Sequence, residues 1–386
     1  MLQIYLYYVN HPFWFYKDVI HNYNLYLNKR FNKGIINYKP IKNHDYYNIT
    51  KIEEITDVEV KFINDNYSNE NYNIRYELPI DYLKHITFYD YKKIHTQIYT
   101  INDIENNKNE LSAIGVGYNT TLIINKKAYS SYYSDYICVN DKNRKKGYFK
   151  SLFNYALDKN TNKDNMVFLF KRDFYPLPIK HLLKYTYHLV YDNKTNINNE
   201  SFYKVDEQYD KNIQIYNNNL TGMNKHLINN IYTLYYQYLQ NKKLKNIFNK
   251  DTFFKYLNNP SIYLYLYGEK LDDPSHIICI YNTHIIGASG KMTYEIAFTI
   301  HKKDNENKNK NKNKNKNKEI LESLITKIRG DFRDKYIISS SINGNHHIPG
   351  VYENIRRGTI LSTCYYYLYN YNNDDYSGSD AFLLYL

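Results

Sequence analysis

Two hydrophobic periods alternate along the chain. Short apolar or aromatic runs at 136–139, 166–170, 261–267, 276–281 and 336–342 read as strands. Residues 111–125 read as two further strands around a turn. Between these runs the spacing changes to that of a helix. Phe149, Leu152, Phe153, Ala156 and Leu157 share one face of a helix that opens at Tyr148. Leu227, Ile231, Leu234, Tyr235 and Tyr238 do the same within 223–240, and residues 251–257 begin another helix. Ile320, Leu321, Leu324, Ile325 and Ile328 make a last stripe, which Gly330 should stop. The polar, Asn-rich stretch 193–219 separates the two series. The pattern predicts an α+β chain of two domains, 1–205 and 206–386.

Length agrees, since 386 residues can bury a substantial core in two domains. Composition changes less. Tyr and Asn are over-used throughout, as a coding bias would produce, and carry no functional weight. Cys138, Cys279 and Cys364 sit in apolar runs without metal-ligand spacing, so they read as buried thiols of a reducing compartment, and no metal is expected. No apolar span reaches the ~18 residues of a membrane helix, which predicts a soluble cytoplasmic protein without stable membrane insertion.

A net charge of +12 raises nucleic acid as a partner. Half of it is local: Lys302, Lys303, Lys308, Lys310, Lys312, Lys314, Lys316 and Lys318 face only Asp304 and Glu306. This tract, 302–318, predicts a disordered, solvated loop. It has no aromatics for bases to stack on, so no nucleic-acid partner is expected.

The chemistry concentrates at 136–157. A strand end (Tyr136, Ile137, Cys138, Val139) runs into the basic turn Arg144-Lys145-Lys146-Gly147, then into the helix at Tyr148 and Phe149. Strand, basic turn and helix N-terminus is the geometry in which backbone amides and cationic side chains cradle phosphate. A plain solvated loop has the same pattern, so these residues alone leave both readings open.

The stretch resembles the acyl-CoA loop of protein N-myristoyltransferases, in which Phe-Leu-Cys-Val precedes a basic segment. Arg-x-x-Gly is also the phosphate turn of the wider GNAT-type acyltransferases. Phe13-Trp14 resembles the family's aromatic pair over the acyl-CoA. Tyr67, Glu70, Arg75 and Tyr76 keep the outline of its peptide-facing loop, although Asn69, Asn71 and Tyr72 replace other acids there. Pro176-Leu177-Pro178 and His188 match a Pro-x-Pro and groove His, with Phe170, Lys171 and Arg172 in place of Thr-Ala-Gly. Tyr366-Tyr367-Leu368-Tyr369-Asn370 and the apolar 381–386 match the family's ending.

What the resemblance implies is a pair of tandem, pseudo-symmetric GNAT-like domains, with mixed sheets flanked by helices. The first domain would bind acyl-CoA and the second the peptide. The implied activity transfers myristoyl from myristoyl-CoA, a co-substrate, to proteins that start with Gly. Phe13, Trp14, Tyr136, Ile137, Cys138, Val139, Arg144, Lys145, Lys146, Gly147, Tyr148 and Phe149 would contact the acyl-CoA, and Tyr67, Glu70, Arg75, Tyr76 and His188 the peptide. Backbone amides of Tyr136 and Ile137 would form the oxyanion hole, and the α-carboxylate of Leu386 would be the base. A GNAT-type transferase with another acyl donor, or an acyl-CoA-binding homologue without catalysis, are the alternatives.

Overall fold

A computed structural model describes residues 49–67, 74–87, 96–103, 110–161, 166–173, 175–191, 205–217, 220–270, 272–287, 289–302, 310–348, 360–372 and 375–385, with Leu6, Asn22 and Gly34–Ile35. The chain divides into two compact units that are not consecutive halves. One comprises Met1–Asn69, Leu78–Lys184 and Thr363–Ser377; the other Glu70–Glu77, Tyr185–Ser362 and Gly378–Leu386. The expected boundary at 205/206 therefore falls inside the second unit, because sequence pattern locates strands but not their pairing partners.

In the first unit Ile49–Ile52, Thr96–Asp103, Glu110–Ile124 and Lys127–Val139 pair antiparallel in that order. Met166–Asp173 then adds in parallel, which requires a crossover, and the helix Tyr148–Thr161 supplies it. Ser362–Leu368, from far along the chain, closes the row antiparallel. The second unit repeats this order. Ile213–Asn217, Ile262–Tyr267, His276–Ile286 and Met292–His301 pair antiparallel, Tyr336–Ser340 adds in parallel after the crossover helix Lys310–Asp331, and residues 187–191 close the row. Each unit thus takes its last strand from outside its own half of the sequence.

The helical stripes pack as their spacing requires. Leu152, Phe153, Ala156 and Leu157 are buried against Tyr132, Phe168, Phe170, Tyr365 and Tyr367. Phe153 meets Phe168 edge-on at 5.2 Å and Phe170 at 5.4 Å, so aromatic rings do the work of aliphatics here. Phe149 departs from the expected face: it is 43% exposed, stacked over Phe153 at the helix's first turn. In the second unit Ile320, Leu321, Leu324, Ile325 and Ile328 are buried against Ile278, Ile280, Ile296 and Ile337.

Two expectations are corrected. Residues 111–125 are not two strands but part of one, Glu110–Ile124; the hairpin turn is Asn125-Lys126, both left-handed at φ 49° and 71°. Asn-Lys is a weak signal for such a turn, whereas Gly117, inside the strand, makes room for the buried Tyr132 ring. The Lys/Asn tract is not wholly a loop either, since its part from Lys310 onward is helix. Packing of 320–328 anchors that helix, and lysine, a good helix former, offsets part of the cost of the asparagines it alternates with. Lys318 pairs with Glu322 at 3.5 Å and Lys316 with Glu269 at 2.7 Å, which hold its exposed side. Residues 303–309 lie outside the described part.

Candidate active site

The first unit's site is built on a β-bulge. Along Glu110–Ile124 and Lys127–Val139 the register runs from Val116 opposite Asp135 to Ile114 opposite Cys138. Tyr136 and Ile137 therefore share the single residue Gly115 as their opposite number, and Tyr136 takes a left-handed φ of 44°. A Cβ at Gly115 would lie 3.6 Å from the Ile137 side chain. The two residues expected to supply oxyanion donors are the two whose backbone leaves the regular ladder.

Six residues downstream of Cys138, at Arg144, the chain enters the basic turn. Asn143 is its buried post: its backbone N–H donates to Asn140 Oδ1 at 3.0 Å and its Nδ2 to Ser112 Oγ at 2.9 Å. Around that post Arg144, Lys145 and Lys146 are all exposed. Arg144 pairs with Asp141 at 2.8 Å, and Lys146 Nζ donates to Asn143 Oδ1 at 2.8 Å. Lys145 and Gly147 adopt left-handed φ of 69° and 93°, which folds the turn tightly enough to start the helix at Tyr148. Ser151 N–H reaches the Gly147 carbonyl at 2.9 Å, so the positive end of the helix dipole faces the cationic turn.

Tyr67 joins this group. A capping box of Thr56 and Glu59 starts the helix Asp57–Asn66, and Tyr67 caps its end through an N–H bond to the Ile63 carbonyl. The Tyr67 ring lies 5.4 Å from that of Tyr136. Cys138 is buried, and burial pushes its thiol far up, with Arg144 opposing only in part, so it is a packing residue and not a nucleophile. An open cavity of about 570 Å³ borders the turn at Asn140, Asp141 and Lys142. Its lining mixes Lys61, Asp65, Glu110 and Asp141 with Val58, Phe62 and Leu111 and includes none of the predicted site residues.

In the second unit, Arg75 and Tyr76 form a short strand paired with Ile285 and Ile286, and Arg75 bonds Glu77 at 3.2 Å. His188 is fully buried on its strand, its Nε2 2.7 Å from Thr186 Oγ1, the environment of a satisfied packing histidine. Phe13, Trp14, Glu70 and Leu386 lie outside the described residues.

The chain just before Leu386 is held by two asparagines that the sequence did not single out. Asn343 Oδ1 accepts from Leu383 N–H at 2.7 Å while its Nδ2 donates to the Leu383 carbonyl at 2.9 Å. Asn246 clamps Leu384 in the same way, at 2.9 and 2.8 Å. Asn343 Nδ2 also reaches the Ala297 carbonyl, and Ala297 is the extra residue of a bulge between Cys279↔Phe298 and Ile280↔Ile296. The second unit thus has a bulge on the strand corresponding to 127–139, and there it anchors the tail. Asn343→Ala strands three buried backbone groups. Each costs ~1 kcal/mol or more, so urea denaturation should show a loss of roughly 2–4 kcal/mol.

Two units of this strand order, one with a bulged strand leading to a cationic turn and helix, define a GNAT-like fold. No protein-family model and no curated protein matches the sequence. Among solved structures the fold is that of N-myristoyltransferase. One Saccharomyces cerevisiae N-myristoyltransferase with bound myristoyl-CoA aligns over 95% of this chain and 94% of its own, at TM-score 0.69 and 14% identity. A second, also with myristoyl-CoA, covers 95% and 89% at TM-score 0.71 and 13% identity. A third, with myristoyl-CoA and inhibitors, covers 97% and 94% at 0.70 and 13%. At such identity the likeness is one of fold.

Proposed function

We propose that the chain transfers the myristoyl group of myristoyl-CoA to the N-terminal glycine of proteins. The observation that carries this is the bulge at Tyr136 and Ile137, joined through the Asn143-anchored turn to a helix N-terminus, on a fold shared with enzymes that bind myristoyl-CoA. Arg144, Lys145, Lys146 and the turn amides hold the CoA phosphates, and Phe13, Trp14, Cys138, Val139, Tyr148 and Phe149 flank the acyl-CoA. Tyr67, Glu70, Arg75 and Tyr76 face the acceptor peptide; His188, buried and bonded to Thr186, is left out of that set. Negative charge developing on the thioester oxygen is met by the Tyr136 and Ile137 amides, each worth ~3 kcal/mol to such a transition state.

The α-carboxylate of Leu386 takes the first proton from the acceptor's ammonium. An α-amino group has a pKa of about 8, so freeing its lone pair at pH 7 costs only ~1.4 kcal/mol. A weak but well-placed acceptor suffices, and orientation contributes more than basicity.

The test is direct. The protein is mixed with acyl-CoAs of several lengths and a Gly-starting peptide, and the products are weighed. Myristoylation at the α-amine, abolished by N-acetylating the peptide, is the expected result. Preferred transfer of a short acyl group would replace the donor, and acyl-CoA binding with no product from any donor would remove the enzyme.

A further inference from the structure

An acidic side chain borders the bulge. Asp135 immediately precedes Tyr136, in a strand otherwise aromatic or apolar from Tyr132 to Val139 except for Ser134. Its Oδ1 accepts the Tyr136 backbone N–H at 2.8 Å, and its Oδ2 lies 3.4 Å from the Tyr133 hydroxyl. Across the parallel pair, where Ser134 faces Phe170, the neighbouring strand contributes Lys171 and Asp173, themselves paired at 3.4 Å. Tyr118 approaches Tyr133 from the adjacent strand and Tyr366 from the strand beyond Met166–Asp173, with ring centroids at 5.4 and 6.5 Å, and Tyr67 covers Tyr136. A partly buried carboxylate therefore bonds the very amide assigned to the oxyanion.

We infer that Asp135 carries the second proton of acyl transfer, taking it from the nitrogen after attack and returning it to the departing sulfur. The inference rests on the acyl-transfer reading above. The neutral amine attacks the thioester carbon; a C–N bond forms, the carbonyl π pair moves to oxygen and the nitrogen becomes cationic. Its proton passes to an Asp135 carboxylate oxygen. Collapse re-forms C=O and breaks C–S, the bonding pair leaves on sulfur, and sulfur takes the proton from Asp135. Asp135 ends as it began, and the products are the amide and free CoA thiol.

The geometry couples this proton to the oxyanion. An ionised carboxylate is an acceptor roughly twice as strong as a neutral one. While charged, Asp135 keeps the Tyr136 N–H; once protonated it relaxes that hold as negative charge arrives on the substrate oxygen. The amide follows the charge, and the count of negative charges beside the bulge does not rise. Burial raises the Asp135 carboxyl to about 6, with Lys171 and the Tyr136 amide opposing and Asp173 reinforcing the shift. An acid of that strength can protonate a thiolate whose own pKa is about 8.5.

The test is Asp135→Asn, which keeps the shape and an acceptor for the Tyr136 amide. Its kcat should fall about 100-fold or more, the usual scale for a lost acid–base group, while KM for myristoyl-CoA stays put. In wild type kcat should rise with pH through about 6, and that limb should vanish in Asp135→Asn. Asp135→Glu should restore part of the rate together with a limb. An Asp135→Asn enzyme with wild-type kcat, or one that keeps the limb, overturns the proposal. The folded pKa lies above the unfolded value of 3.8, so the stability this group provides is complete below 3.8 and lost as pH rises through about 6. At pH 7 Asp135→Asn should accordingly melt no lower than wild type. Should it melt lower, Asp135→Glu decides: an unmoved acid limb there overturns the role. A wild type that binds myristoyl-CoA but acylates nothing sinks the acyltransferase reading itself. An active wild type beside an unimpaired Asp135→Asn removes Asp135 alone.

Discussion

A chain extended by a few glycines beyond Leu386 is expected to bind myristoyl-CoA normally and to turn over about 100-fold more slowly, or worse. The proposed acceptor of the first proton is the Leu386 carboxylate, and an extension converts it into an amide with no basic oxygen to offer. The surrounding structure leaves the tail little freedom to compensate. Leu383 and Leu384 are 2% exposed, and both their backbone N–H and C=O groups are spent on Asn343 and Asn246. A terminus pinned two residues upstream cannot slide to bring a new carboxylate to the old position, and ~1 Å of misplacement already costs up to ~100-fold in rate. The clamps also keep the comparison clean, because the extension begins after them and melting should be unchanged. Titration with myristoyl-CoA separates binding from turnover. An extended chain at full rate would show that another group accepts the proton.

How much of this was legible in the sequence depends on which kind of information each feature carries. Helix faces are local, so 152–157 and 320–328 were read correctly from spacing, as was the strand, turn and helix around Tyr136–Tyr148. Phe149 was misplaced: in the helix's first turn it stacks over Phe153 and stays 43% exposed. The exchange of closing strands, Ser362–Leu368 in one unit and 187–191 in the other, has no local signature at all. It arises from pairing, and a strand's pattern is the same whichever neighbour it finds. Asn246 and Asn343 were invisible for a different reason, and Asn143 stood out only as the residue before the basic run. In a chain so rich in Asn, buried ones cannot be told from the exposed majority until their partners are known. Asp135 was readable in principle, since an acid inside an aromatic strand must have a partner or a shifted pKa.

Replacing Arg144, Lys145 and Lys146 together by alanine is the other change with a large expected effect, this time on binding. Hydrogen bonds to a charged partner contribute about 1.5 kcal/mol or more apiece, so losing three phosphate contacts should weaken myristoyl-CoA by ~4 kcal/mol, near 1,000-fold in Kd. The fold should lose little: all three side chains are exposed and the buried Asn143–Ser112 bond remains, although the Lys146 bond to Asn143 Oδ1 goes. Arg144 is partnered by Asp141 at 2.8 Å, but an exposed pair of this kind is worth under ~1 kcal/mol, so a phosphate can displace the carboxylate cheaply. Salt supplies the decisive control. Part of the attraction is long-range, so raising ionic strength should weaken wild type toward the triple variant and narrow the gap between them. A gap that persists unchanged at high salt would mean the substitutions had disturbed the turn itself. Equal affinities at low salt would move the phosphate site elsewhere, and with it the case for acyl-CoA at the bulge.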